Sequence, residues 1–207
     1  MHPEKPGSGR VFLCAEFLVL FGLVPLLVLS LRQPGILVLV LWGGGFACWA
    51  ASRAAPQGKV LGIQRVLARF ALCGAGLTLA TWALAPALFL SLPLQHPRFW
   101  ALVMLLYPLL SVWPQEIIFR RFLFHRYGLL FGNRITAASA IAFSYAHIIY
   151  LNPLAVVLTL AGGAMFARSY SKTRSLTLTA LEHALYGCLV FTIGLGRYFF
   201  SGAAWHH

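Results

Sequence analysis

Long apolar stretches separated by short basic segments are the feature that most constrains this sequence. Of its 207 residues, 60% are hydrophobic and 10% are charged, whereas about a quarter of the residues of a soluble domain are charged. A stretch of about 20 apolar residues is long enough to cross a bilayer. Seven such stretches lie at about 11–31, 35–52, 66–92, 98–126, 135–151, 153–168 and 175–200. We therefore predict a single all-α membrane domain over residues 1–207, a transmembrane helix bundle of about seven spans.

The basic residues predict an orientation in the membrane, not a nucleic-acid partner. The net charge is +12, but the Lys and Arg residues lie between the apolar stretches and do not form one patch. If the N-terminus is cytoplasmic, all but three of the 16 basic residues fall on the cytoplasmic side, the exceptions being Arg32, Arg98 and Arg197. Because cytoplasmic loops carry the excess of Lys and Arg, we predict a cytoplasmic N-terminus and an external C-terminus at His207.

Two glutamates lie inside the apolar C-terminal half. The chain has four acidic residues, and Glu116 and Glu182 fall within predicted spans. An ionisable side chain at the bilayer centre costs about 2.5 to 3.5 kcal/mol on insertion scales, and such a residue usually marks a functional site. Glu116 has Arg120 one helical turn away, and Glu182 directly precedes His183.

Distances along the predicted helices bring three polar residues to one depth. Pro108 and Pro114 interrupt the stretch that holds Glu116, so we predict that this segment is tilted, kinked or broken, with Glu116 at the start of the helix that follows the break. At 1.5 Å per residue from the nearest cytoplasmic arginines, Glu116 lies about 15 Å deep, His147 about 20 Å and His183 about 14 Å. We therefore predict that these three side chains line one cavity and approach within about 8 Å of one another.

A glutamate with two histidines can support hydrolysis by an activated water. The carboxylate can act as general base, one imidazole can share the water, and the other can stabilise the oxyanion. The same three side chains can instead hold a divalent metal such as zinc with an open fourth position, although the HExxH motif is absent. Three structural alternatives also stand: an i, i+4 salt bridge between Glu116 and Arg120, an interhelical hydrogen bond from His147, and a packing pair of Glu182 with His183.

At these residues the sequence resembles the CAAX protease and bacteriocin-processing family of intramembrane proteases, also called Abi proteins. That family carries EExxxR on one span, FxxxH on the next, and a later His that is commonly followed four residues on by Asn. Here the patterns read QEIIFR from Gln115 to Arg120 and FSYAH from Phe143 to His147, and the later His is His183. The resemblance covers about residues 114–187.

The resemblance implies an intramembrane endopeptidase that cuts a peptide bond near the membrane. We expect its catalytic core at about residues 98–200, in a protein of the bacterial cytoplasmic membrane. The expected partners are the lipid bilayer and a membrane-associated peptide or protein substrate.

Two positions depart from the family pattern. Gln115 stands at the position of the first Glu, which is usually taken as the base, and Gly187 stands at the position of the Asn. We favour an active variant in which Glu116 is the base and Gln115 donates to the oxyanion, with Glu182 as the alternative base. The full set of predicted site residues is Glu116, His147, His183, Arg120, Gln115 and Glu182.

Two other functions fit the same residues. One is a catalytically inactive relative that binds a membrane peptide in an immunity or scaffold role. The other is a proton-coupled carrier, because chains of carboxylates and histidines also relay protons.

Overall fold

A computed structural model describes residues 8–199 as a bundle of helices, and no strand occurs in this range. The predicted all-α membrane fold is therefore confirmed. Within residues 8–199, four helical runs are long and apolar enough to cross a membrane: Gly9–Leu31, Ile63–Leu84, Pro97–Tyr150 and Pro153–Thr173. Two shorter apolar helices, Gly35–Ala51 and Leu176–Thr192, accompany them. The longest run turns at Gly132, whose positive φ of 50° favours glycine. With this run counted as two helical arms, the structure describes about seven apolar helical segments.

The α-helices are α1 (Ser8–Leu18), α2 (Val24–Leu31), α3 (Pro34–Ala51), α4 (Ile63–Leu84), α5 (Ser91–Gln95), α6 (Pro97–Tyr107), α7 (Trp113–Glu116), α8 (Leu123–Phe131), α9 (Ile135–Ala146), α10 (Pro153–Thr173) and α11 (Leu176–Thr192). Wider π-helical segments join α1 to α2, α6 to α7 and α7 to α8; they are Val19–Leu23, Pro108–Val112 and Ile117–Phe122. Short 3₁₀ turns follow α8, α9 and α11 at Gly132–Arg134, His147–Tyr150 and Leu195–Phe199.

Of the predicted tilt, kink or break before Glu116, the break is wrong, because the helix continues from α6 through α8. A proline in a helix lacks one N–H donor, and its ring crowds the preceding turn. Here the π-helical segment Pro108–Val112 lies between the two prolines and Ile117–Phe122 follows the second, and such wider turns accommodate irregular hydrogen bonding. Glu116 therefore lies within a continuous helical run and not at a helix N-terminus.

The helix α4 is shorter than the apolar stretch predicted at about 66–92. It ends at Leu84, and Ala85 leaves the helical region with φ −142° and ψ 58°. Pro86 is the reason, since a proline pushes the residue before it out of the α conformation. A turn over residues 86–90 leads into α5.

The buried core lies among the helices of the C-terminal half. Phe143 of α9 and Phe166 of α10 belong to it, and both are almost fully buried. The helices α9 and α10 approach closely at Gly163, where an added Cβ would lie 3.0 Å from the Phe143 ring and 3.2 Å from the Ala140 carbonyl oxygen. Small residues permit such close approach between membrane helices. This packing fixes the part of α9 that leads to His147.

Candidate active site

Glu116 is completely buried, and its carboxylate contacts two other predicted site residues. Its Oε1 accepts a hydrogen bond from Nδ1 of His183 at 2.9 Å. Its Oε2 lies 3.4 Å from Nε of Arg120, one helical turn further along the chain. The structure therefore joins Glu116, Arg120 and His183, which we call the buried cluster.

Arg120 is held by groups beyond Glu116. Its Nη1 donates to Oγ of Ser139 at 3.1 Å, and that hydroxyl donates in turn to the carbonyl oxygen of Phe119. The guanidinium also lies over the Phe143 ring, 4.8 Å from its centroid. Removing one partner of a buried ion pair leaves an uncompensated charge, so Arg120 and Glu116 each depend on the other.

The imidazole of His183 is fixed on several sides. Phe166 stacks on it with ring centroids 4.7 Å apart, and Phe143 meets it edge-on at 5.3 Å. Its Nε2 lies 3.1 Å from the hydroxyl of Tyr107 in α6. Tyr107 could not be predicted from the sequence, because no spacing rule connects a residue of α6 to one of α11.

Glu182 makes a separate contact. It is completely buried and forms an ion pair with Arg69 of α4, whose Nη2 also donates to Oγ of Ser169 at 2.7 Å. This contact ties α4 and α10 to α11 and directs the Glu182 carboxylate towards Arg69.

Gln115 and His147 lie on the wall of an apolar cavity of about 430 Å³. The cavity lies between the N-terminal helices and the segments that carry Gln115 and His147. Its lining residues are Leu20, Phe21, Val24, Pro25, Val28, Leu37, Val40, Leu41, Gly44, Cys48, Ser111, Gln115, Ile118, Phe119, Phe122, Ala146, His147, Ile149 and Tyr150. The wall is apolar apart from a few groups around Gln115 and His147.

The polar groups on this wall are partly engaged. Nε2 of Gln115 donates to Oγ of Ser111 at 2.7 Å, and Nδ1 of His147 donates to the Phe143 carbonyl oxygen at 2.7 Å. The Phe143 ring contacts both imidazoles, with its centroid 4.7 Å from that of His147 and 5.3 Å from that of His183. Phe143 thus lies between the cavity wall and the buried cluster.

The six predicted residues therefore fall into three groups. Glu116, Arg120 and His183 form the buried cluster, Gln115 and His147 line the cavity, and Glu182 pairs with Arg69. Of Glu116, His147 and His183, which we predicted to line one cavity, only His147 is among the residues that line this cavity, and the other two are hydrogen-bonded to each other.

The arrangement does not fit zinc held jointly by Glu116, His147 and His183. Within residues 8–199, no three His, Cys, Asp or Glu side chains come together in a way that could hold a metal ion. Glu116 and His183 are hydrogen-bonded to each other, and Nδ1 of His147 is hydrogen-bonded to the backbone carbonyl of Phe143. We therefore derive no step through a metal.

Comparison with known proteins identifies a family to which the C-terminal half is similar. Residues 97–189 match the family model described as type II CAAX prenyl endopeptidase Rce1-like. Neither the curated proteins nor the solved structures gave a match. The matched segment begins with α6 and ends within α11, and it contains all six predicted site residues.

Proposed function

We propose that this chain, whose residues 97–189 match the Rce1-like family model, is a CAAX-type intramembrane endopeptidase in which Glu116 activates the attacking water. The family supports a CAAX-type membrane endopeptidase in general terms. The role of Glu116 as base, and those of His147 and Gln115 beside it, are our proposal for this chain.

The hydrogen bond between Glu116 and His183 is the observation that carries the proposal. It joins two family motifs that lie 67 residues apart. It also occupies only Oε1, and Oε2 has no hydrogen-bond partner among the described residues. A carboxylate oxygen with a free lone pair can accept a proton from water. The nearby Arg120 cation offsets the charge of the carboxylate between turnovers.

In this proposal the substrate peptide binds in the cavity, whose wall carries Gln115 but not Glu116, and the attacking water reaches Glu116 from there. The apolar wall fits a chain that enters from the bilayer, and Gln115, the residue before Glu116, supplies an amide to that wall. One N–H of the amide is bonded to Ser111, and the second is available for a developing oxyanion.

In the proposed reaction, each residue has its own role. The water oxygen bonds to the peptide carbonyl carbon while one water proton passes to Glu116. His147 accepts a hydrogen bond from the water through Nε2, because its Nδ1–H is engaged by Phe143. The carbonyl oxygen becomes the oxyanion, to which Gln115 donates. Glu116 then returns its proton to the leaving amine as the C–N bond breaks.

A second candidate is a catalytically inactive relative that binds a membrane peptide. Two observations favour it. The cavity wall carries an amide and not a carboxylate at position 115. Glu116 is fully buried and already contacts both His183 and Arg120. Such a protein would keep the cavity and the buried cluster but would release no product.

Mass spectrometry of membrane peptides separates the two candidates. Cells expressing the wild type, Glu116→Gln, or no protein are compared, with Glu16→Gln as a control because Glu16 pairs with Arg126 away from the cavity. Products present with the wild type and Glu16→Gln, and lost with Glu116→Gln, support the endopeptidase. An intact peptide that copurifies equally with the wild type and Glu116→Gln, without any product, supports the binding protein.

A further inference from the structure

Gly187 lies directly against Tyr107. An added Cβ at Gly187 would overlap Cε1 and the hydroxyl oxygen of Tyr107. The tyrosyl ring therefore fills the space that any larger side chain at position 187 would need. Gly187 of α11 thus leaves open the space that the Tyr107 ring of α6 occupies.

The Tyr107 hydroxyl completes a chain of hydrogen bonds. It lies 3.1 Å from Nε2 of His183, whose Nδ1 lies 2.9 Å from Oε1 of Glu116. A carboxylate only accepts hydrogen bonds, so Nδ1 carries the proton. In the neutral imidazole Nε2 is then an acceptor, and it requires a donor such as a tyrosine hydroxyl.

We propose that Tyr107 is a positioning residue for His183. Its hydroxyl, placed by the space above Gly187, satisfies Nε2 and keeps Nδ1 directed at the Glu116 carboxylate. Phe166 and Phe143 confine the faces and edge of the imidazole, and Tyr107 fixes its rotation within that slot. The effect on cleavage rests on the proposed function, whereas the effect on His183 does not.

The first experiment measures His183 directly. The ¹⁵N resonances of the purified, labelled protein in detergent are recorded, and those of His183 are assigned by their loss in His183→Gln. In Tyr107→Phe, which keeps the ring and removes the hydroxyl, we expect the Nε2 resonance to move towards that of an acceptor without a partner. Tyr186→Phe is the control, because it also removes a tyrosine hydroxyl, here from α11, but not one that is hydrogen-bonded to His183. An Nε2 resonance that is unchanged in Tyr107→Phe would overturn the proposal.

The second experiment tests the shared space by exchange. Gly187→Asn alone should lower the thermal unfolding midpoint, because the amide overlaps the Tyr107 ring. The double variant Tyr107→Ala/Gly187→Asn should unfold at a higher temperature than the sum of the two single effects predicts. Strictly additive effects would contradict the packing of Tyr107 on Gly187.

The third experiment concerns cleavage. Tyr107→Phe should lower kcat roughly tenfold with little change in KM, as expected for loss of one buried hydrogen bond that orients a reacting group. Tyr107→Ala should have a still lower kcat. Adding Gly187→Asn to it should restore part of kcat, because the Asn amide returns a hydrogen-bond donor to the same space. A Tyr107→Phe protein with wild-type kcat would overturn the positioning role. If the wild type cleaves nothing, the proposed function fails, and the ¹⁵N and unfolding measurements still decide the role of Tyr107.

Discussion

Gln115 and Glu116 are adjacent in the chain, yet their side chains lie in different surroundings. The Gln115 amide is on the wall of the apolar cavity, bonded to Ser111, whereas the Glu116 carboxylate is completely buried against His183. Successive residues of a helix point about 100° apart, so one position reaches the cavity and the next reaches the bundle interior. A carboxylate at one of these positions cannot simply replace a carboxylate at the other.

Replacing Glu116 by Gln tests the proposed base. The substitution keeps the shape and removes the proton acceptor, so cleavage per folded molecule should fall by roughly 10² to 10⁴. The rate must be measured together with the amount of membrane-inserted protein, because Arg120 also loses its counter-charge. A Glu116→Gln protein that is as abundant as the wild type and cleaves normally would remove Glu116 from the mechanism.

The ion pair of Arg69 and Glu182 predicts an asymmetric loss of stability. Arg69→Met leaves the completely buried Glu182 carboxylate without its cation and should cost about 1–3 kcal/mol, less than a fully buried pair because the Arg69 side chain is 29% exposed. Glu182→Gln should cost less, since Arg69 can remain partly hydrated. Thermal unfolding in detergent measures both effects.

The cleavage rate of Glu182→Gln tests whether Glu182 is the base instead of Glu116. Equal activity per folded molecule in Glu182→Gln and the wild type would limit Glu182 to its pairing with Arg69. A large loss of cleavage at an unchanged unfolding midpoint would instead point to Glu182 as the base.

The helices, and the common level of Glu116 and His183 in the bundle, could be predicted because both depend on apolar length and on a fixed rise per residue. Counting residues placed Glu116 and His183 in one layer, and their side chains are hydrogen-bonded in the structure. The rotation of each helix about its axis could not be predicted in the same way. The π-helical segments on both sides of α7 change the turn angle, and they arise where Pro108 and Pro114 alter the backbone hydrogen bonds.

The remaining contacts of the site depend on tertiary packing. The pairing of Arg69 with Glu182 spans 113 residues and joins two helices whose sequences carry no shared pattern. Tyr107 could be connected to His183 only by knowing that its ring occupies the space beside Gly187. The missing Asn at position 187 was the one sequence signal that something else fills this place.

The loops around Lys59 and Lys172 should face the same side of the membrane. The backbone N–H of Gly58 donates to the carbonyl oxygen of Arg174 at 2.9 Å, which places the α3–α4 loop beside the turn between α10 and α11. Charge distribution predicts that this side, together with the turn at Gly132, is cytoplasmic.

Accessibility to a membrane-impermeant maleimide measures this orientation. Lys59→Cys and Lys172→Cys, each in a background without other cysteines, should be labelled in inside-out vesicles and protected in intact cells. Labelling of both in intact cells would reverse the predicted orientation. The predicted external position of His207 lies outside the described residues, and a C-terminal reporter fusion measures it separately.

Gln115→Glu decides between an active variant and an inactive relative. If Glu116 is the working base, a second carboxylate one residue away should harm cleavage or leave it unimproved, because neighbouring like charges in a low-dielectric site disfavour ionisation of both. If Glu116 serves only to balance Arg120, the new carboxylate projects onto the cavity wall near His147 and should create cleavage where the wild type has none. Ser111→Ala is the matched control, because it breaks the bond to Gln115 without adding a charge. Cleavage and the amount of folded protein are measured for all three proteins. A gain of cleavage in Gln115→Glu alone would assign the inactive role to the natural sequence, whereas wild-type cleavage that Gln115→Glu reduces would support Glu116 as the base.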